Sequence, residues 1–395
     1  MSVRNGREFL SIPGPTTVPD EVLQAMHRPA IEIYGGELGG ITNSCLEDLR
    51  WMFKTSGDTY IYVANGHGAW EAAISNLFSK GDKVLVLESG RFAIGWGEFA
   101  TRLGVEVEVL AGRLGRAVDV AAVEARLAKD SAGEIKAVLV VQIDTATSVY
   151  NDIPAIRGAI NAAQHDALLL VDAIASLGII DFKMDEWGVD VCVGGSQKGL
   201  MTPPGLSFNA VGAKAKAMHQ TAGLRTSYWD WTARDGKVHY MKYAGTAPVH
   251  LLYGLRKALD MLKEEGLDNV FLRHALLAEA VRRAVEVWAR ADVVGFIIEQ
   301  PEERADSVTS IRLNGGYEAA SLIEYCHKKC GVVLGVGIGE NSDNRFRIAH
   351  MGHINAPMIL GTLSVVEIGL AALDIPHGKG GVQAAIDWLS EQVPA

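Results

Sequence analysis

Residues 168–205 have the sequence LLLVDAIASLGIIDFKMDEWGVDVCVGGSQKGLMTPPG, and two apolar runs within them predict neighbouring strands. The first run, 168–171, has no polar alternation, which is typical of a parallel strand buried on both faces. The second run, 189–193, follows after a short connection. Asp172 directly follows the first run, and open α/β sheets bind their ligands at the carboxyl ends of such strands. The segment therefore predicts a parallel sheet with a ligand site at this edge.

Asp172 and Lys198 follow the two apolar runs and can face one cavity from two sides. A carboxylate at the end of a buried strand needs a cation or a hydrogen-bond donor. Pyridoxal 5'-phosphate (PLP) requires both residue types, because a lysine amine forms its Schiff base and an acid keeps its pyridine nitrogen protonated. A structural ion pair at the end of a sheet would use the same two residues. The spacing alone leaves both interpretations open.

Strands and helices alternate along the first half of the chain. Apolar runs predict strands at 60–63, 83–87, 105–110 and 137–141, and residues 119–129 have a helical pattern. A further strand at 205–210 returns after Lys198. This alternation indicates an α/β fold with a mainly parallel, doubly wound sheet.

The chain divides into three predicted parts. Prolines at 13, 15 and 19 exclude a helix and indicate an extended N-terminal arm over residues 1–19. A large domain follows over 20–265, and a strongly helical run that begins at Val249 carries the chain into a smaller α+β domain over 266–395.

Composition excludes several classes of protein. The 395 residues are 48% hydrophobic and 21% charged, which is typical of a globular chain with a large core. The net charge of −10 argues against a nucleic-acid partner, because phosphate binding requires a basic face. No apolar run is long enough to span a bilayer, so we expect a cytoplasmic protein.

The cysteines and histidines indicate neither disulfides nor a metal. Four scattered cysteines are too few for a disulfide framework in a chain of this size, so we expect reduced thiols. The groups Cys326-His327-Cys330 and His350/His353 lack a second ligand cluster, and we predict no metal site.

A glycine-rich turn follows the strand at 60–63 and begins a helical pattern. Residues 64–73 have the sequence ANGHGAWEAA. Free backbone N–H groups and the positive end of the helix dipole bind a phosphate at such a turn without a basic side chain. The turn is therefore a candidate site for a phosphate group.

The segments LLLVDAIAS, DFKMDEWGVD and GSQKGL resemble the serine–glyoxylate and alanine–glyoxylate aminotransferases, class V of the fold-type I PLP enzymes. The likeness runs from Ile12-Pro13-Gly14-Pro15 to the region 346–350. It implies a large PLP-binding domain and a smaller C-terminal domain. It also implies that Lys198 forms the Schiff base and that Asp172 pairs with the pyridine nitrogen.

The resemblance assigns further cofactor contacts. Phe92 matches the position that stacks on the ring, and Gln197 adjoins the lysine. A hydroxyl that binds the phenolic oxygen is expected from Thr145, with Thr147 as the second choice. The phosphate contacts are expected at Gly66, His67 and Gly68.

The resemblance also assigns the substrate contacts. Arg347 is expected to hold the substrate carboxylate through two parallel hydrogen bonds. Arg345 lies two residues away, on the same face of a strand, and is expected in solvent or on a second carboxylate. Gly14 would let backbone approach the substrate, or would simply begin a rigid arm. Tyr34 is either a substrate contact or an ordinary loop aromatic.

Two features concern partners and substrates. Tyr243 and Thr246 match a Tyr-x-x-Thr pair that crosses to the neighbouring subunit's phosphate, which implies a homodimer with shared sites and leaves a tetramer open. The loop 32–37 departs from the family's Asp-His-Arg-like sequence, so the amino donor stays open between L-serine, L-aspartate and L-alanine, with glyoxylate as acceptor. The alternatives are a pyridoxamine-using transaminase, a cysteine desulfurase-like lyase that would use Cys326 or Cys330, and a non-catalytic binding protein.

Overall fold

The computed structural model describes residues 2–339 and 342–393, and its strands form two sheets and one short hairpin. In chain order the strands are β1 (Phe9–Ser11), β2 (Asp58–Val63), β3 (Lys83–Leu87), β4 (Glu106–Leu110), β5 (Ile135–Val141), β6 (Ile143–Asp144), β7 (Val149–Tyr150), β8 (Leu168–Asp172), β9 (Val191–Gly195), β10 (Leu206–Val211), β11 (Val294–Phe296), β12 (Val308–Leu313), β13 (Val332–Val336) and β14 (Arg345–Ala349).

The α-helices lie between these strands and after them. They are α1 (Asp20–Met26), α2 (Glu37–Phe53), α3 (Gly66–Leu77), α4 (Arg91–Arg102), α5 (Val120–Ala128), α6 (Ile153–Ala162), α7 (Ala213–His219), α8 (Trp231–Arg234), α9 (Val249–Glu265), α10 (Leu267–Trp288), α11 (Ala319–Cys330), α12 (Ala356–Ala372) and α13 (Gly381–Gln392). Within the described residues no helix has the length and apolar character needed to cross a membrane.

The larger sheet has seven strands in the order β2-β10-β9-β8-β5-β3-β4. Only β10 runs antiparallel to its neighbours. The predicted α/β fold with a mainly parallel, doubly wound sheet is therefore confirmed. Strand β8 lies in the centre, so Asp172 at its carboxyl end is surrounded by other strand ends.

The two faces of the larger sheet pack into separate apolar cores, which explains the unbroken apolar run in β8. Leu169 and Val171 face one core, and Leu168 and Leu170 face the other. Strand β9 begins at Val191, two residues later than the sequence predicted. Asp190 precedes it, and its carboxylate accepts the backbone N–H of Leu169 at 2.8 Å.

The smaller sheet has five strands in the order β1-β13-β14-β12-β11 and packs with α10 to α13 around its own core. Residues 9–11 of the predicted arm are part of it, because β1 pairs in parallel with β13. The long helical run after Val249 is two helices, since Gly266 between α9 and α10 has a φ of +80°. The predicted boundary between the large and the small domain, at 265/266, falls at this glycine. It stays a prediction, based on the separate apolar cores on its two sides.

Candidate active site

A cavity of about 290 Å³ opens at the carboxyl ends of β5 and β8 and is closed on one side by the smaller sheet and the N-terminal arm. Most of the residues predicted for the site line it: Gly14, Gly66, His67, Phe92, Thr145, Asp172, Gln197, Lys198 and Arg347. They come from both sheets and from the arm. The fold therefore brings together residues that are more than 300 positions apart in the chain.

Asp172 is 3% exposed at the end of β8. Its Oδ1 accepts the backbone N–H of Ile174 at 2.7 Å, and its Oδ2 accepts the indole N–H of Trp70 at 2.7 Å. Burial raises the pKa of Asp172 to about 7, although the two donors act to lower it. Two hydrogen bonds leave lone pairs of the carboxylate free, so Asp172 can accept one more from a protonated ring nitrogen.

Lys198 follows β9 and points at the arm. Its Nζ donates a hydrogen bond to the carbonyl oxygen of Pro13, and within the described residues it forms no ion pair with Asp172. Burial lowers the pKa of Lys198 to about 8, and the nearby charge of Arg347 acts in the same direction. A substantial fraction of the amine is therefore neutral near physiological pH and able to act as a nucleophile or a base.

Gly14 leaves the space that the lysine occupies. A Cβ at this position would lie 2.6 Å from both Cε and Nζ of Lys198, and the φ of Gly14 is +101°. Only glycine meets both constraints, because other residues rarely adopt this φ and none lacks the Cβ. Gly14 thus allows the arm to touch the lysine.

Arg347 lies in β14 and is almost fully buried. Its Nε donates to the Val336 carbonyl at 2.7 Å and its Nη1 to the Thr145 carbonyl at 2.8 Å. Burial lowers its pKa to about 10, so the guanidinium stays charged at neutral pH. A guanidinium has five N–H donors, and the two bonds fix its plane while it faces the cavity. Arg347 can therefore hold a carboxylate.

Helix α3 begins at Gly66, and the cavity reaches its N-terminus. The first N–H groups of a helix and its dipole favour an anion at this place. His67 also lines the cavity. Gly68 does not, and its small size has another cause: a Cβ would lie 2.5 Å from the Cβ of Ala64 and 3.1 Å from the ring of Trp229.

The two threonines after β5 have different surroundings. Thr145 lines the cavity. The Thr147 hydroxyl instead donates to the Ser89 carbonyl at 2.9 Å and is used by the fold. Thr145, the first choice from the sequence, therefore stays the predicted hydroxyl contact to a ligand.

Asp144 is a buried carboxylate that the sequence analysis missed. Its Oδ2 accepts the backbone N–H groups of Phe92 at 3.0 Å and Ala93 at 3.1 Å, at the start of α4. Its Oδ1 accepts the N–H of Ala146 at 3.0 Å. Burial raises its pKa to about 6. Asp144 thus orients Phe92 and the turn that carries Thr145. Its position three residues after the end of the apolar strand β5 was the available signal.

The residues of the cavity fit PLP. The N-terminus of α3 can bind the phosphate, and the Asp172 carboxylate has free lone pairs for the ring nitrogen. Lys198, whose pKa is lowered, can react with the aldehyde. Gln197 Oε1 is buried and, within the described residues, has no hydrogen-bond partner. Buried polar atoms are normally paired, so this oxygen is one that a ligand donor would satisfy.

Other predicted site residues lie elsewhere in this single chain. Tyr243 is buried, and its hydroxyl shares a hydrogen bond with that of Thr42 at 2.8 Å, while Thr246 is exposed. Tyr34 is 70% exposed on a surface loop. Arg345 lines a separate surface pocket beside α11. The roles of Tyr34, Tyr243 and Thr246 therefore stay predictions that involve a partner subunit.

Neither Cys326 nor Cys330 is placed as the catalytic cysteine of a desulfurase would be. Cys326 is buried in α11, where burial raises the pKa of its thiol to about 12. Cys330 ends the same helix, and neither lines the cavity. Among the described residues no group of three or more His, Cys, Asp or Glu side chains is arranged to hold a metal ion.

The chain is similar to known aminotransferases. A family model described as Aminotransferase class-V matches residues 9–343. The chain is 40% identical to the serine–glyoxylate aminotransferase of Methylorubrum extorquens, over 98% of this chain and 97% of that protein. It is 37% identical to the L-aspartate–glyoxylate aminotransferase of Paracoccus denitrificans, over 95% of this chain and 94% of that protein. The crystal structure of a ureidoglycine–glyoxylate aminotransferase from Bacillus subtilis matches this chain with a TM-score of 0.89 and 25% sequence identity. The match covers 98% of this chain and 100% of that one.

Gly14→Ala should weaken PLP binding by about tenfold or more, because the new Cβ would overlap Lys198. Gly316→Ala is the matched control: its φ is +82°, and nothing lies within 4 Å of the added Cβ. Both variants should lose similar stability in thermal unfolding, and only Gly14→Ala should lose cofactor affinity in absorbance titrations. Equal PLP affinity in the two variants would contradict the assignment.

Cofactor-free enzyme should capture PLP faster as the pH rises, because only the neutral amine of Lys198 attacks an aldehyde. With a pKa lowered to about 8, the neutral fraction falls about tenfold per pH unit below that value and levels above it. Stopped-flow absorbance measures this rate. A rate that keeps rising up to pH 10.5, the ordinary pKa of lysine, would show that the pKa of Lys198 is not lowered.

Proposed function

The chain belongs to the class-V aminotransferase family, and on this basis we propose that it transfers the amino group of a small L-amino acid to glyoxylate. It is a PLP-dependent aminotransferase. Serine–glyoxylate and aspartate–glyoxylate aminotransferases among its relatives support glyoxylate as the acceptor. The observation that carries the proposal is one buried guanidinium, Arg347, that faces the same cavity as Lys198 and Asp172.

The three residues have separable roles. PLP, when bound, supplies an electron-withdrawing ring that stabilises negative charge at the substrate Cα. Asp172 keeps the proton on the ring nitrogen. Arg347 holds the substrate carboxylate and so fixes which Cα substituent points at the lysine. Lys198, with a pKa lowered to about 8, removes the Cα proton and returns a proton during the exchange.

L-serine is the preferred donor in this proposal. The relative that uses serine in its name is 40% identical, against 37% for the one named for L-aspartate. Among the described residues, Lys198 and Arg347 are the lysine and arginine side chains that line the cavity. A dicarboxylate donor would need another cation, but Arg345 lies in a separate pocket and Arg91 pairs with Glu98 at 2.9 Å.

The protein is further proposed to be a homodimer. Exposed apolar side chains lie close together in pairs on the surface: the rings of Tyr34 and Tyr240 are 6.5 Å apart, and the Tyr228 hydroxyl lies 3.5 Å from the Val63 carbonyl oxygen. Such patches are typical of interfaces. Trp229, next to this surface, packs against Gly68 at the beginning of α3, so a partner bound here would approach the phosphate-binding end of that helix. The same mass measurement distinguishes a dimer from a tetramer.

A cytoplasmic location is part of the same proposal. All four cysteines are free thiols in the structure, as expected of a protein in a reducing compartment.

The donor is tested by a half-reaction screen. Purified enzyme is mixed in turn with L-serine, L-aspartate, L-alanine and pyridoxamine, while the visible absorbance of the bound cofactor is followed, and glyoxylate is then added. We expect L-serine to remove the band fastest and glyoxylate to restore it. Lys198→Ala should show neither change.

Aspartate as the fastest donor would contradict the serine preference and would mean that a second cation comes from a partner subunit. Sulfide release from L-cysteine without any transamination would instead support a desulfurase and overturn the proposal.

The oligomer is tested by light scattering coupled to size-exclusion chromatography. We expect a mass twice the 42.4 kDa of one chain. Charge substitution of the exposed Tyr240, as Tyr240→Glu, should shift the protein towards monomer and reduce activity, while Leu23→Glu on the exposed face of α1 should do neither. A monomeric, fully active wild-type enzyme would contradict the shared site.

A further inference from the structure

Trp70 contacts the catalytic centre without a role in the chemistry described so far. It is 2% exposed in α3, and its indole N–H donates to Oδ2 of Asp172 at 2.7 Å. The other carboxylate oxygen is held by the backbone N–H of Ile174. The indole is therefore the side-chain donor that sets the orientation of Asp172.

Aromatic neighbours fix the indole in place. Trp96 stacks on it with a centroid separation of 6.0 Å and an interplanar angle of 16°. Phe99 and His67 meet it edge to face at 5.9 Å and 4.7 Å. A ring enclosed in this way cannot rotate without disturbing its neighbours. Its N–H is thus preoriented towards the carboxylate.

The same helix carries the phosphate-binding turn. Gly66 and Trp70 are four residues apart and so lie on one face of α3. A Cβ on Gly66 would lie 2.3 Å from Cδ1 of Ile174, so the beginning of the helix packs closely on the residue that binds Asp172 Oδ1. Helix α3 therefore connects the anion-binding end of the cavity with the carboxylate that faces the ring nitrogen.

Trp96 provides an internal comparison. It is fully buried in the same aromatic cluster, but its indole N–H has no hydrogen-bond partner within the described residues. The two tryptophans share residue type, burial and surroundings. They differ in the hydrogen bond to Asp172.

We propose that Trp70 is a positioning residue that holds the Asp172 carboxylate ionised and aimed at the ring nitrogen of PLP. A hydrogen bond to the charged form of an acid favours that form, and this one acts in a site where burial opposes it. The proposal depends on the cofactor and not on which amino acid is the donor.

The test compares Trp70→Phe with Trp96→Phe. Both remove one indole from the same cluster, but only the first removes a donor from Asp172. The probe is 4'-deoxypyridoxine 5'-phosphate, which has the ring nitrogen and the phosphate but no aldehyde, so its affinity for the cofactor-free enzyme does not involve a bond to Lys198. We expect Trp70→Phe to weaken its binding about tenfold or more relative to Trp96→Phe.

The pH dependence of that binding separates orientation from simple packing. Loss of the donor destabilises the charged form of Asp172, so the pH above which the probe binds well should move upwards in Trp70→Phe and stay unchanged in Trp96→Phe. Equal affinities in the two variants, or an unmoved pH midpoint in Trp70→Phe, would overturn the proposal.

A second measurement covers the case in which Trp70→Phe does not fold. In wild-type protein labelled with ¹⁵N at the indoles, one indole N–H signal should shift as Asp172 titrates, and that shift should vanish in Asp172→Asn. Trp96→Phe identifies the neighbouring signal. If no indole signal follows the titration of Asp172, the hydrogen bond does not control the carboxylate and the proposal fails.

Discussion

The burial of one carboxylate, Asp172, at the end of an apolar central strand determines much of the surrounding structure. Strand β8 is apolar on both faces because both faces are covered, and this places Asp172 where solvent cannot reach it. A carboxylate in such a place is unstable without donors. The turn at Ile174 supplies one donor and α3 supplies the other through Trp70. The helix that we propose for phosphate binding is thereby tied to the residue that we propose to face the ring nitrogen.

The N-terminal arm joins the other half of the site. Its first part is β1 in the smaller sheet, which pairs with the strand next to that of Arg347. Its second part reaches the lysine segment, where Thr16 N–H donates to the Gln197 carbonyl at 3.0 Å and the Thr16 hydroxyl donates to the Lys198 carbonyl at 3.1 Å. The arm therefore connects the sheet that carries Arg347 with the segment that carries the lysine. A displacement of the smaller sheet would move both.

The sequence predicted those parts of the site that depend on chain direction and residue type. Asp172 and Lys198 follow runs that the sequence predicts as strands, whereas Arg347 was expected from the family resemblance. Trp70 could not be identified, because a tryptophan within an apolar helix face has the same pattern whether or not its N–H has a partner. Gly68 stays a predicted phosphate contact, and its close packing against Trp229 could not be predicted because that contact joins residues distant in sequence. The domain division was placed at Gly266, but the sequence did not show that the helical run ends there and begins again, because the apolar periodicity continues across it.

Four charged groups of the cavity are buried, and burial opposes the charged form of each. Asp144 and Asp172 have pKa values raised by burial, and Lys198 and Arg347 have pKa values lowered by it, so each group is pushed towards its neutral form. Backbone N–H groups satisfy Asp144, but Asp172 and Arg347 keep unused hydrogen-bonding capacity. A ring-nitrogen proton complements the first and a substrate carboxylate the second. A ligand with a protonated ring nitrogen and a carboxylate would therefore use hydrogen-bonding capacity that the fold leaves free.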